Sequence, residues 1–176
     1  MSQTKILVVY AHRDPAASHV NRALFDAAGT VPNVTRHDLM SRYPDFRIDV
    51  EHEQQLLLAH DAIVLQFPFY WYSTPAILKE WQDAVLAYGF AYGTGGDKLR
   101  GKKLLVATTS GGPADAYQAG GYNQFTYSEL LRPLQATANL AGMQYQPIFT
   151  AGGVRTLDEA GLDRIQSAYH QRLSSL

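Results

Sequence analysis

Three short segments hold the residue types that site chemistry needs. The first runs Ala11-His12-Arg13-Asp14-Pro15-Ala16-Ala17-Ser18-His19-Val20-Asn21 and offers imidazole, hydroxyl and amide donors at the start of a helix-period stretch. Donors at a helix N-terminus, where the first backbone N–H groups lack partners, form a natural phosphate site. The second, Phe67-Pro68-Phe69-Tyr70-Trp71-Tyr72, is aromatic at five of its six positions. Rings grouped this densely suit a flat apolar ligand. The third, Thr109-Ser110-Gly111-Gly112-Pro113, sets hydroxyls beside two glycines. Without a Cβ, glycine lets its backbone N–H approach the edge of a ring.

Each segment follows an apolar run of strand length. Ile6 to Tyr10, Asp61 to Gln66 and Leu104 to Thr108 read as strands buried on both faces. A weaker strand covers Val34 to His37, and Tyr145 to Phe149 is expected to be the last. Helix patterns lie between them. Ser18 is an N-cap candidate for a helix carrying Val20, Leu24 and Ala27. A short helix is expected over Glu51 to Ala59. Pro75 suits a first helical turn, and Ile77, Leu78, Trp81 and Val85 then form one apolar face. Thr126-Tyr127-Ser128-Glu129 fits a capping box for a helix ending near Gly142, with a kink or later start at Pro133. Thr156-Leu157-Asp158-Glu159 fits a second box, and Leu162, Ile165, Tyr169 and Leu173 line the final helix. The order βαβαβαβαβα predicts an α/β fold: a flavodoxin-like five-stranded parallel sheet, order 2-1-3-4-5, with helices on both faces. The length suits a single domain over residues 1–176.

In that order the three segments meet at one crevice, outside the carboxyl ends of the strands where the order reverses. Phosphate at one end and a planar heterocycle with a polar edge at the other describe flavin mononucleotide (FMN). Taken singly, each piece also has a structural reading. His12 can be a loop or capping histidine, Ser18 only an N-cap, the aromatics core packing, and Thr109 to Gly112 a turn. The conjunction at three strand ends is what points to a nucleotide-like ligand.

Other chemistries find no support. Gly96-Asp97-Lys98-Leu99-Arg100-Gly101-Lys102 has the spacing of a phosphate loop, but Lys103 stands where Ser or Thr would hold Mg²⁺, and the segment precedes a strand. No G-x-G-x-x-G, H-E-x-x-H or G-x-S-x-G carries a dinucleotide, zinc or serine-hydrolase reading. His52-Glu53 reads as a solvated helix face, and His37, His60 and His170 are scattered, so no metal site is expected. The absence of Cys excludes disulfides, thiolate zinc sites and cysteine nucleophiles. Fifteen basic and sixteen acidic residues give a net charge of −1, so no broad nucleic-acid surface is expected. Hydrophobic residues at 46% support a packed core, and no apolar run approaches a signal or membrane segment. A cytoplasmic location is expected.

At these same residues the chain resembles the NAD(P)H:quinone oxidoreductase family of flavodoxin-like flavoproteins. Within it, the likeness is strongest to the ancillary flavoproteins of glutathione-gated potassium-efflux systems and to small bacterial NAD(P)H oxidoreductases. The matching residues are Tyr10-Ala11-His12 with Ser18-His19-x-Asn21, then Tyr43-Pro44-Asp45-Phe46-x-Ile48-Asp49. Next come Gln66-Phe67-Pro68-x-x-Trp71-Tyr72-Ser73-x-Pro75-Ala76-x-Leu78-Lys79-x-Trp81 and Gly89-Phe90-Ala91-Tyr92-Gly93. Thr108-Thr109-x-Gly111-Gly112 and Leu131-x-Pro133-Leu134 complete the set.

The resemblance implies a flavin phosphate held by His12, Ser18, His19, Val20 and Asn21. It implies an isoalloxazine lined by Pro68, Phe69, Tyr70 and Trp71, with its pyrimidine edge at Thr109, Ser110, Gly111 and Gly112. The chain is shorter than FAD-binding relatives, which favours FMN over FAD. Larger relatives place a Tyr and a His after the glycine loop as proton partners. Tyr117 matches the first, and Tyr122 or Asn123 fills the second. A homodimer with the site at its interface is also implied, with Asp83 approaching the neighbouring flavin. The activity implied is two-electron transfer of hydride from NAD(P)H, through the flavin, to a quinone or similar acceptor. An alternative is a regulatory subunit docked on a membrane potassium-efflux antiporter, and a third is a one-electron carrier. The near-neutral charge and the histidine-containing first loop count against the carrier.

Overall fold

The computed structural model describes residues 3–176. Strand β1 (Ile6–Tyr10) leads through a 3₁₀ turn at Pro15–Ala17 into helix α1 (Val20–Ala28). Then follow β2 (Val34–Asp38), α2 (Leu39–Arg42), α3 (Val50–Ala59), β3 (Ala62–Pro68) and α4 (Ala76–Val85). After β4 (Lys103–Thr109) and a 3₁₀ turn at Ala114–Ala116 come α5 (Tyr127–Leu130) and α6 (Arg132–Leu140). The chain ends with β5 (Gln144–Tyr145), β6 (Phe149–Ala151) and α7 (Glu159–Ser174). All pairings are parallel, in the order β2-β1-β3-β4-β5, with β6 also on β4.

Strand alternation explains the two-sided core, because successive side chains point to opposite faces. Leu7, Val9, Ile63, Leu65, Leu104 and Val106 face α3, α4 and α6, where Leu57, Ile77, Trp81 and Leu134 meet them. Ile6, Val8, Tyr10, Val64 and Leu105 face α1 and α7, against Leu24, Phe25, Tyr169 and Leu173. The strands therefore carry apolar side chains on both faces, which is why they read as unbroken runs.

Three local expectations change. The single last strand, Tyr145 to Phe149, is two short ones, β5 pairing with Lys103–Leu104 and β6 with Ala107–Thr109. Pro147 lies between them and has no N–H for the ladder. The expected second capping box is not formed: Asp158, not Thr156, caps α7, accepting the Gly161 N–H at 2.7 Å. A Cβ at Gly161 would lie 2.7 Å from Leu157 Cδ1, so Leu157 folds over the first turn from outside the helix. Ser18 is not the residue adjoining α1; His19 is, while the Ser18 hydroxyl accepts the Arg22 N–H at 3.1 Å. The Thr126 box forms with both bonds, and the helix breaks at Leu131 so that Pro133 falls in the first turn of α6.

The expected solvated face at His52-Glu53 is wrong for Glu53, which is fully buried. Its carboxylate accepts from His37 Nε2 at 2.8 Å, the Tyr43 hydroxyl at 2.6 Å and the Trp81 indole at 2.7 Å. Burial alone would raise its pKa. The bonds from His37 and Tyr43, the electrostatic pull of His37 and the Trp81 bond outweigh it and hold the carboxyl below its ordinary value. Burial and the Glu53 bond push the Tyr43 hydroxyl up to about 12. One carboxylate thus ties β2, α3, α4 and the turn after α2. No helix among the described residues is long and apolar enough to cross a membrane.

Candidate functional site

The carboxyl ends of β1, β3 and β4 present the three segments side by side, and each pair is joined by a direct hydrogen bond. His12 Nε2 lies 3.3 Å from the Tyr70 hydroxyl, joining the first to the second. Asn21 Nδ2 donates to Thr109 Oγ1 at 2.9 Å, joining the first to the third. The Phe69 N–H donates to the Thr109 carbonyl at 2.7 Å, joining the second to the third. Farther out, the Tyr72 hydroxyl donates to Asn123 Oδ1 at 3.0 Å.

Burial lowers the His12 pKa against the opposing influence of Asp14. Its Nδ1 accepts the Asp14 N–H at 3.1 Å, which leaves Nε2 as the protonated donor of a neutral ring. The Asp14 carboxylate accepts the N–H groups of Ala16 and Ala17. The N–H groups of His19, Val20 and Asn21 take no partner among the described residues. Val20 is buried under them, and the Asn21 side chain is turned inward. The first segment therefore offers an anion three backbone donors and the Ser18 hydroxyl, and His12 Nε2 joins them where it releases the Tyr70 hydroxyl.

In the third segment, Thr109 and Ser110 are buried. The Ser110 hydroxyl donates to the Gly112 carbonyl at 2.8 Å and meets the Tyr127 hydroxyl at 2.6 Å. Burial raises the Tyr127 pKa, so that phenol stays protonated. These bonds shape the loop. The Gly111 and Gly112 N–H groups have no partner among the described residues and are what the loop can offer a ligand. A Cβ at Gly112 would fall 2.5 Å from the Tyr122 hydroxyl oxygen and 3.5 Å from that of Tyr117. Both tyrosines expected to handle protons thus converge on Gly112. The Tyr117 ring stacks on Tyr127 at 4.0 Å, while Tyr122 is exposed.

The sequence from residue 4 to residue 173 matches the model of the family described as "Flavodoxin-like fold". The chain belongs to that family. It is 44% identical over 176 residues to an uncharacterized NAD(P)H oxidoreductase of Bacillus subtilis, YdeQ, covering 100% of this chain and 89% of the relative. It is 48% identical to a glutathione-regulated potassium-efflux system ancillary protein, KefG, of Pectobacterium atrosepticum, covering 99% and 96%. Among solved structures, an NADPH-quinone reductase from P. pentosaceus superposes with a TM-score of 0.88 at 39% identity, covering 96% of both chains. General stress protein 14 of Treponema denticola, solved in complex with FMN, superposes with a TM-score of 0.88 at 37% identity, covering 97% and 96%.

This flavodoxin-like chain carries unusual backbone in its second segment. Pro68 ends β3 and Phe69 packs near Tyr72, Tyr117 and Tyr127. Tyr70 and Ser73 exchange both N–H···O bonds, at 3.0 and 2.9 Å, around Trp71 (φ 48°) and Tyr72 (φ 62°). Two successive left-handed residues are the pattern of a type I′ turn, which normally takes Asn-Gly. Holding two large aromatics there costs on the order of 1–3 kcal/mol each. The turn leaves Trp71 93% exposed. Beside it opens a cavity of about 620 Å³ lined by Arg13, Met40, Phe46, Tyr70, Trp71 and Pro75.

Sequence reasoning missed Tyr10, Gln66 and Tyr169, all fully buried at this end of the sheet. Tyr10 and Gln66 are polar groups in otherwise apolar runs, and that was the available signal for them, whereas Tyr169 stands among polar residues on α7. The Tyr10 hydroxyl is the one buried side-chain polar atom without a partner among the described residues. It lies toward Ser18 without completing a hydrogen bond.

Proposed function

We propose that the protein is an FMN-dependent NAD(P)H:quinone oxidoreductase acting in the cytoplasm. The observation that carries this reading is the mutual hydrogen bonding of the three loops, which leaves free backbone donors at both ends of one aromatic-lined crevice. The donor set fits FMN: an anion at His12, Ser18 and the N–H groups of His19 to Asn21, and a polar ring edge at Gly111 and Gly112. The orphaned Tyr10 hydroxyl under the first loop supports the fit, since a bound anion can supply the acceptor it lacks. Bound flavin supplies two-electron chemistry between a reduced nicotinamide and a quinone.

The chain's own residues bind, orient and shield. Pro68, Phe69, Tyr70 and Trp71 would line a bound ring, with Trp71 and Tyr72 walling it from the strained turn. Backbone N–H groups of Gly111 and Gly112 would hold the polar edge of the ring and favour negative charge there. Tyr117 and Tyr122 hold hydroxyl protons beside Gly112, within reach of an acceptor oxygen. Tyr117→Phe is expected to lower turnover about tenfold or more with FMN affinity kept, as befits loss of a general acid; unchanged turnover removes Tyr117 from that role.

The reading also includes a homodimer. A groove of about 270 Å³ between α4 and α6 is lined by Lys79, Asp83, Leu86, Tyr92, Leu134 and Leu140, and it begins at Ser73 and Thr74, just past the strained turn. A second copy seated there would bring Asp83 and Tyr92 toward the neighbouring crevice. Light scattering on the purified protein reads this directly.

The deciding experiment is anaerobic addition of NADPH, then NADH, to the FMN-loaded protein, followed by benzoquinone. Bleaching of the flavin bands by at least one donor and their return with quinone is expected. A single face shared by donor and acceptor in turn predicts parallel initial-rate lines at fixed quinone levels. Retained but unbleached flavin contradicts the reading. The KefG relative favours a second role, docking on a potassium-efflux antiporter with redox activity secondary. Co-purification with such an antiporter would support it.

The buried Tyr10 hydroxyl gives a test with opposite signs. Tyr10→Phe removes an unsatisfied buried polar group, so the flavin-free protein should gain about 1 kcal/mol. FMN binding should weaken in the same variant. Thermal unfolding with and without FMN reads both, and a variant losing stability in the flavin-free state would contradict the assignment.

A further inference from the structure

The middle of the sheet carries a buried chain of hydrogen bonds. Tyr169 on α7 donates from its hydroxyl to Gln66 Oε1 at 3.0 Å. Gln66, on β3, donates from Nε2 to the Asn21 carbonyl at 2.7 Å and to Asn21 Oδ1 at 2.8 Å. Asn21, in the first turn of α1, donates from Nδ2 to Thr109 Oγ1 at 2.9 Å. Tyr169 and Gln66 are fully buried, and Asn21 and Thr109 nearly so.

Each group in the chain fixes the orientation of the next. Both Gln66 amide protons are taken by Asn21, so Gln66 Oε1 must face Tyr169. With its Oδ1 accepting from Gln66, the Asn21 amide must present Nδ2 to Thr109. Thr109 Oγ1 is thereby an acceptor from inside, and its own proton is left to donate elsewhere. No acceptor for that proton is found among the described residues. The donors all run in one direction, from α7 toward the mouth of the crevice, and hydrogen bonds arranged head to tail polarise one another.

We propose that Tyr169 and Gln66 are positioning residues for the flavin site. Acting through Asn21, they hold the Thr109 hydroxyl as a hydrogen-bond donor toward the ring edge and lock the phosphate-binding turn to the glycine loop. Neither residue reaches the crevice. The proposal rests on the FMN reading above and adds residues from the opposite layer of the fold to it. Asn21 accordingly serves the site by its backbone N–H and by this internal link. Replacing Tyr169 by phenylalanine leaves the buried Gln66 Oε1 without its donor, which loosens the Gln66 amide and, through Asn21, the hold on the Thr109 hydroxyl.

The test is a double-mutant cycle on FMN affinity, read by quenching of flavin fluorescence, with thermal unfolding of each flavin-free variant alongside. One neutral hydrogen bond to the ring makes Thr109→Val bind FMN about tenfold more weakly and Tyr169→Phe about threefold to tenfold more weakly. In the Thr109→Val background, Tyr169→Phe is expected to have no further effect, because it acts only through the missing hydroxyl. Thr109→Ser, which keeps the hydroxyl, should bind within about twofold of the wild type. The same loss from Tyr169→Phe in both backgrounds overturns the proposal, since a role confined to general stability adds rather than vanishes. Should Tyr169→Phe fail to fold, the Thr109 pair decides: equal losses for Ser and Val overturn it. A wild-type chain that binds no FMN overturns this proposal together with the reading beneath it, whereas bound FMN with additive losses overturns this proposal alone.

Discussion

Replacing Glu53 with leucine should destabilise the protein by about 3–5 kcal/mol, the loss typical when one side of a buried charged cluster is removed. The indole N–H of Trp81, the Tyr43 hydroxyl and His37 Nε2 all donate to this carboxylate. Leucine fills similar space but leaves two buried donors and the half-buried His37 without an acceptor. For a domain of this size the melting temperature should fall by roughly 6–20 °C. Glu53→Gln should cost less, because the amide oxygen can still serve Trp81 while its N–H groups turn to Tyr43 and His37. The pH dependence has a definite sign. Glu53 is held below its ordinary pKa, so its contribution is present above the unfolded carboxylate value of about 4.3 and is lost as pH falls through the folded value. The gap between wild type and Glu53→Leu should therefore narrow below about pH 4. Urea unfolding at pH 7 and at pH 3.5 measures it. A constant gap would mean that the carboxylate is not the operative group.

The second large effect is on the ligand. Gly112→Val should weaken FMN binding by about 100-fold or more, equivalent to about 2.7 kcal/mol. The backbone at Gly112 is not in the left-handed region, so valine introduces no strain there. Its Cβ would come within 2.5 Å of the Tyr122 hydroxyl and 3.3 Å of Tyr117 Cε2. The Tyr122 side chain is exposed and can swing away, so the flavin-free variant should lose under about 1 kcal/mol. On the proposed reading, valine would fill the space through which a ring edge would reach the loop N–H groups. Fluorescence titration separates the two effects. A Gly112→Val variant that binds FMN like the wild type would place the ring elsewhere.

The architecture was legible because it rests on long, redundant patterns. Ile6 to Tyr10 or Leu104 to Thr108 can be misjudged by a residue without changing the strand order. Local signals were legible where one mechanism stood alone: Thr126 with Glu129 capped its helix, and Pro133 broke it. They failed where mechanisms competed. Thr156 and Asp158 are both cap residues two positions apart, and Leu157 packing over Gly161 selects Asp158. Pro147 divides the last strand although its neighbours are apolar.

The site's convergence followed from strand order, but its internal wiring did not. Asn21 looks like a surface donor in sequence, and its side chain proves to be an internal link. Glu53 looks like one charge on a polar helix, yet its burial depends on His37, Tyr43 and Trp81, which lie 16, 10 and 28 residues away. Periodicity carries no information about partners at such separations. The left-handed pair Trp71 and Tyr72 was equally hidden, because neither residue type signals that conformation.

The most direct test of the central claim, that these three loops form an FMN site, is incubation of the purified protein with FMN, desalting, and a visible absorption spectrum with a melting curve on the same sample. Flavin bands should remain at close to one FMN per chain. In a parallel sample with FMN added back to a free concentration about 100 times the dissociation constant, FMN should add about 2.7 kcal/mol and raise the melting temperature by roughly 5–11 °C. No retained flavin together with an unshifted melting curve would contradict the three-loop site itself.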